Sequence, residues 1–180
     1  TPQLQTNIID DNVRNWYEIF VYSFYDSNND GIGDLNGVTQ KLDYIKEMGF
    51  NGIWLMPIHP SPTYHKYDVN DYYAIAPEYG TLEDLDTLVT EAHKRGIKVI
   101  MDLVPNHTST EHKWFKESKK GKDNPYSDFY YWADEPLTDW EACFGGSSWE
   151  YCPERGQYYL HSYAIEQADL NWDNPRVREE

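Results

Sequence analysis

Long apolar runs are missing from this sequence: no stretch approaches the roughly 20 residues that a helix needs to cross a bilayer. Basic residues are scarce, with 15 Lys and Arg against 31 Asp and Glu and a formal net charge of -16 at pH 7. Such a chain repels phosphate backbones and anionic lipid, so neither nucleic acid nor a membrane is expected as a partner. No charged-then-apolar leader precedes Thr1 and there is no initiator Met. That is expected of a processed secreted protein or a trimmed chain, and it favours an extracellular over a cytoplasmic location. Low-complexity tracts are absent, and 39% hydrophobic content in 180 residues is enough for one buried core. Cysteine is reduced to Cys143 and Cys152, in a stretch that reads as a hairpin. A disulfide and two free thiols both fit that spacing.

What is abundant is aromatic. Seven Trp and sixteen Tyr suit stacking on the apolar faces of sugars, and core packing is the other use of such rings. Along the chain, "WYEIFVYSF" (Trp16 to Phe24), "GIWLMPI" (Gly52 to Ile58) and "IKVIMDLV" (Ile97 to Val104) read as buried parallel strands. Between the first two, Val38, Leu42, Ile45 and Met48 recur at helical spacing before Gly49. Between the next two, Thr81 and Asp84 form a capping box ahead of Leu82, Leu85, Leu88, Val89 and Ala92, and Gly96 ends the helix. Strands alternating with helices predict a parallel sheet wrapped by helices. From about Pro105 to Asn174 the rhythm breaks into a loop-rich, aromatic-rich insertion without a helix of comparable periodicity. Within it, a hairpin is predicted between a strand ending near Phe144 and one around Tyr158, and "KESKKGKD" reads as a solvated loop.

Three constellations follow the predicted strands. In "YDSNNDGIGDLNG", the oxygens of Asp26, Asn28 and Asp30, the Ile32 carbonyl and Asp34 alternate around glycines as in a calcium loop. An EF-hand would place a glutamate at Gly37 and a helix where the first strand lies, so this would be another type of Ca2+ loop; a solvated acidic turn is the alternative. "HPSPTYHKYDVNDYY" sets Tyr67, Asp68 and Asp71 in a turn-rich loop, where acid and ring together suit a sugar, or the acids simply form Asx turns. "DLVPNHTS" carries Asp102 at a strand end with Asn106 and His107 just beyond, the edge where barrels build active sites.

The "DSNNDGIGDLNG" loop, "YDVNDYY", "DLVPNHTS" and "QADLNW" (Gln167 to Trp172), in this order and spacing, resemble the α-amylase family of glycoside hydrolases, in particular its oligo-1,6-glucosidase, α-amylase and trehalose synthase-like members. The resemblance implies an α/β fold: the first three βα units of a (β/α)8 TIM barrel over 1–104, an inserted, β-containing B domain over 105–174 and a return to the barrel over 175–180. It implies retaining hydrolysis of α-glucosidic bonds in starch-derived oligosaccharides; a transglycosylase such as a trehalose synthase, or a non-catalytic carbohydrate-binding relative, is the alternative. Carried over by motif, Tyr67 would stack under the sugar, Asp68 would bind its far hydroxyls, His107 its 6-hydroxyl, and Asp102 would hold an arginine. Asn106 ligates a second calcium in some members, without secure partners here, and Ala168 stands where oligo-1,6-glucosidases usually have proline. A retaining mechanism needs two carboxyl groups about 5 Å apart. The family carries them after the fourth and fifth strands, so nucleophile and acid/base are expected beyond Glu180, in a longer polypeptide.

Overall fold

The computed structural model describes residues 13–180. The described residues divide into two compact units, one formed by residues 13–58 with Ile75–Asp102, the other by His59–Ala74 with Leu103–Glu180.

In the first unit, β1 (Trp16–Ile19), β2 (Gly52–Leu55) and β3 (Lys98–Met101) lie in a parallel sheet of order β1-β2-β3. Ile19 aligns with Leu55 and Leu55 with Met101. The strands are shorter than their sequence signatures. "FVYSF" does not continue β1, because the chain turns at Phe20 into a helical turn, α1 (Val21–Phe24). The Gly33 amide donates to the Tyr22 carbonyl at 2.7 Å, and a Cβ on Gly33 would stand 2.0 Å from the Val21 oxygen, so the loop packs directly on α1. Close backbone packing overrides the strand preference of the aromatic and β-branched side chains.

The helix predicted around Val38 is two short ones, α2 (Leu35–Gln40) and α3 (Leu42–Glu47), broken at Lys41. Val38, Leu42 and Ile45 are buried as their spacing requires, whereas Met48 is exposed. Helix α4 (Leu82–Lys94) begins with the Thr81/Asp84 capping box and is followed by Gly96 at φ +73°. Leu88 and Ala92 face the core, and Leu82 at its start is exposed. Of the three strands, β2 is buried; Ile100 and Met101 on β3 are exposed, because β3 is an edge of this sheet and only β2 flanks it.

The second unit is antiparallel. β4 (His107–Ser109) pairs with β8 (Gln167–Asp169), while β5 (Trp132–Ala133), β6 (Trp149–Cys152) and β7 (Gln157–Leu160) form a sheet of order β5-β7-β6. The hairpin therefore joins β6 to β7, and Phe144 belongs to no strand. Gly145 and Gly146, at φ +92° and +80°, fold that segment into a tight turn. Part of "KESKKGKD" is helical: α5 (Lys113–Ser118) includes Lys116 to Ser118, and Lys116, Lys119 and Lys120 pair with Glu111, Glu154 and Glu117. A last helix, α6 (Pro175–Glu179), starts at an Asn174 cap.

Many of the rings serve the core. Phe115 meets Tyr130 and Tyr159 edge-on at 5.1 and 5.0 Å and stacks on Trp132 at 5.6 Å. Over that stack lies the Arg155 guanidinium, 4.5 Å from the Trp132 ring, donating to the carbonyls of Ser118 and Gly121. Cys143 and Cys152 are free thiols, the first exposed and the second buried.

Candidate functional site

Residues 59–74 form a loop whose base is closed by His59 Nδ1 on the Ala74 carbonyl and by the Asn70 amide on the Pro60 carbonyl. Its far half lies along β4. The Ser109 amide donates to the Val69 carbonyl at 2.9 Å, and the half-buried Tyr72 hydroxyl reaches the carbonyls of Val104 and His107 at 2.8 and 2.7 Å. Burial pushes the Tyr72 phenol far above its usual range, so it stays protonated and keeps donating. Pairing of β4 with β8 then brings Gln167 alongside. The result is a cleft of about 820 Å³ lined by Tyr67, Asp68, His107, Phe144, Tyr163 and Gln167, among others. Tyr67, Asp68 and His107, singled out in the sequence, share this one hollow.

Its polar groups are tightly organised. Asp68 is buried and accepts a hydrogen bond from Gln167 Nε2. His107 is buried too; Nε2 donates to the Tyr67 carbonyl at 3.0 Å, which leaves Nδ1 as acceptor for Asn106 Nδ2 at 3.2 Å. Desolvation lowers the His107 pKa from its ordinary value, opposed by the Tyr67 bond and the charges of Asp169 and Asp68. The other Asn106 proton reaches Asp169 Oδ1 at 3.0 Å, and Asp169 also accepts from the amide and hydroxyl of Ser162. This chain of bonds fixes the turn before Tyr163, whose ring centroid lies 5.4 Å from His107 and 6.4 Å from Phe144.

Sequence reasoning missed Phe144, Tyr163 and His65 as lining residues, together with the bracing by Asn106, Asp169 and Ser162. An aromatic residue directly before a Gly-Gly pair was the available signal for Phe144; Tyr163 and His65 carried none. Asp71 lies outside the lining; its carboxylate caps the Tyr73 amide at 2.8 Å in an Asx turn. Asp102 belongs to the first unit, half-buried just past β3, with its amide on the Leu55 carbonyl at 2.9 Å.

In the loop from Asp26 to Asp34, also in the first unit, the acids turn to backbone donors. Asp26 accepts from the amides of Asn28, Asn29 and Gly31, and Asp30 from Ile32. Asp34 caps α2 through Gly37. The amide bonds hold the Asp26 carboxyl below its usual pKa. The donor set is all oxygen, which suits a hard cation, and no Lys or Arg among the described residues pairs with these acids. Their arrangement is not a closed cage: among the described residues no three His, Cys, Asp or Glu side chains stand as a metal-holding group.

The parallel sheet alternating with helices in the first unit defines an α/β protein. The model of the α-amylase catalytic domain matches residues 18–180, and the chain belongs to that family, whose members imply a TIM-barrel fold. It is 54% identical over 170 residues to an oligo-1,6-glucosidase of Heyndrickxia coagulans, covering 91% of this chain and 31% of that protein. It is likewise 54% identical over 168 residues to a trehalose-6-phosphate hydrolase of Bacillus subtilis, covering 90% of this chain and 30% of that protein. Among solved structures, a trehalose-6-phosphate hydrolase of Bacillus licheniformis superposes with a TM-score of 0.89 at 56% identity, over 92% of this chain and 31% of that one. An isomaltulose synthase variant of Erwinia rhapontici in complex with sucrose superposes at 0.88 with 48% identity, over 92% and 31%. The chain thus spans about a third of the length of these relatives. No helix among the described residues is long and apolar enough to cross a membrane.

Proposed function

We propose that this chain is the N-terminal part of a retaining glycoside hydrolase that acts on α-glucosidic bonds of starch-derived oligosaccharides. The observation that carries the reading is the shared cleft of Tyr67, Asp68 and His107. It puts a ring able to cover a sugar face next to a buried carboxylate able to accept from hydroxyls. Names of the relatives agree, since they include oligo-1,6-glucosidases and an α-glucosidase. In this reading residues 1–104 are three βα units of the barrel, 105–174 its B domain and 175–180 the return. Asp102 orients an arginine supplied from elsewhere, and the nucleophile and acid/base come from later strands. What this chain contributes is grip: His107 holds the Tyr67 carbonyl, Gln167 fixes Asp68, and Phe144 with Tyr163 lines one side of the cleft.

The deciding experiment incubates the full polypeptide with maltotriose, isomaltose, panose and sucrose and identifies the products. Free glucose released with retained anomeric configuration is expected. Rearranged disaccharides without net hydrolysis would establish transfer instead, a reading supported by the isomaltulose and trehalulose synthases among the structural neighbours. Asp68→Ala should lower kcat/KM by at least about tenfold to a hundredfold, the range for losing a charged hydrogen bond.

Calcium in the Asp26, Asn28, Asp30, Ile32 and Asp34 loop is a further proposal, supported by the alternation of oxygen donors and by three acids that no Lys or Arg among the described residues pairs with. Binding to the folded state would raise the melting temperature by mass action, so a chelator should lower it and added calcium restore it. A melt that is the same in both would exclude the ion.

A further inference from the structure

We propose that His65, a second imidazole on the cleft wall, donates a hydrogen bond from Nε2 to an oxygen of the bound saccharide and helps decide which glucosides are held. The inference rests on the hydrolase reading and deepens it. His65 lines the same hollow as Tyr67, Asp68 and His107. Its tautomer follows from its neighbours: the Tyr67 backbone amide, which can only donate, reaches His65 Nδ1 at 3.1 Å. The Thr63 hydroxyl lies 3.3 Å from the same nitrogen, and Thr63 is itself tied to Ser61 through both its amide and its hydroxyl. Nδ1 is therefore an acceptor and the ring proton resides on Nε2.

Among the described residues that proton has no acceptor. Nε2 of His65 makes no hydrogen bond to any described residue, whereas His107, the histidine the sequence points to, has both ring nitrogens engaged, by the Tyr67 carbonyl and by Asn106. Of the two imidazoles on this wall, His65 is the one whose second N–H is accepted by none of the described residues. Its ring is also set: it lies 5.9 Å from the Tyr67 ring at 33° and meets Tyr64 edge-on at 5.4 Å, so the donor is positioned before a ligand arrives. A fixed donor beside an aromatic face and a buried carboxylate matches a polyol, which offers acceptor oxygens at set angles to its apolar face.

Asparagine and glutamine separate the two nitrogens. His65→Asn keeps an acceptor near the Nδ1 position and loses the outer donor; His65→Gln keeps a donor near Nε2 and loses the inner acceptor. In the full polypeptide, His65→Asn is expected to melt like the unsubstituted enzyme yet bind its preferred disaccharide about threefold to tenfold more weakly, the worth of one neutral hydrogen bond, read as a rise in KM. His65→Gln should melt earlier but keep KM within about twofold. A merely structural histidine gives the reverse: unchanged KM in His65→Asn alongside intact melting overturns the proposal. An enzyme inert on every α-glucoside overturns the hydrolase reading and this inference together; an active enzyme indifferent to His65→Asn overturns this inference alone.

Discussion

Replacing Asp34 by alanine should destabilise the protein even when no metal is present. Asp34 is the buried acid of its loop, 5% exposed, while Asp30 is on the surface. One carboxylate oxygen caps α2 by accepting the buried Gly37 amide at 2.6 Å; the other accepts the Ser27 amide and hydroxyl at 3.0 and 2.9 Å. Loss of a helix cap costs about 1 kcal/mol, with a range of roughly 0.5 to 2. The Ser27 bonds are half-buried, and water can recover part of them, so together they add about 1 to 2 kcal/mol. Gly37 is itself buried, so water does not readily replace the acceptor its amide loses. The sum is about 2 to 3 kcal/mol. The assay is urea unfolding of the full polypeptide in excess chelator, with amide exchange at Gly37 as the local probe. A lower midpoint at constant slope and loss of Gly37 protection are expected. Asp30→Ala under the same conditions should move the midpoint far less, since solvent replaces its bonds. If Asp34→Ala unfolds at the unsubstituted midpoint, or if Asp30→Ala matches it, the carboxylate holds this loop only through a cation and the hydrogen-bond account fails.

Two other outcomes follow from burial in the second unit. His112 caps α5 by accepting the Trp114 amide on Nδ1, and it is packed against Tyr72 and Trp114. Burial lowers its pKa to about 4, countered by the Asp71 charge and reinforced by Lys113. The depressed folded value means that the unfolded chain takes up the proton first. Stability is fully present above about 6.5 and is lost as pH falls toward 4, by roughly 3 kcal/mol in all. Urea midpoints between pH 7.5 and 4 should therefore fall more steeply in the unsubstituted protein than in His112→Gln; parallel curves would refute the assignment. Cysteine chemistry gives the second outcome. Cys143 is exposed, whereas Cys152 is buried, with its thiol raised by desolvation and by the neighbouring Glu154. Brief alkylation of the native protein followed by peptide mapping should label Cys143 and spare Cys152; equal labelling, or a bridged peptide, would contradict the free-thiol arrangement.

The sequence was most legible where local rules agree with tertiary packing. The Thr81/Asp84 box, the glycine after α4 and the apolar run of β2 each announce their element, because capping, left-handed backbone and burial all point to the same residues. It was least legible where a contact from far along the chain decides. Phe20 to Phe24 has strand composition but turns helical because Gly33 packs on it. Phe144 looked like the end of a strand until two positive-φ glycines closed a turn behind it. In the cleft, the motif residues Tyr67, Asp68 and His107 could be singled out by type and position. His65 could not, since its role depends on a tautomer set by a backbone amide two residues away.

The three-residue ladder between β4 and β8 explains why so small an element matters to the cleft. Its register sets His107 against Asp169 and Ser109 against Gln167, and every residue on both strands is buried. Because side chains alternate across a strand, a slip of one position would turn Gln167 away from Asp68 and Asp169 away from Asn106 at once. Two constraints oppose that slip from outside the ladder: the Ser109 amide is committed to Val69, and the Leu170 amide to Asn106. Register, the loop that carries Tyr67 and the turn that carries Tyr163 are thus one coupled arrangement. A substitution that loosens any of the three should be felt as misplacement of the groups lining the cleft before it is felt as unfolding.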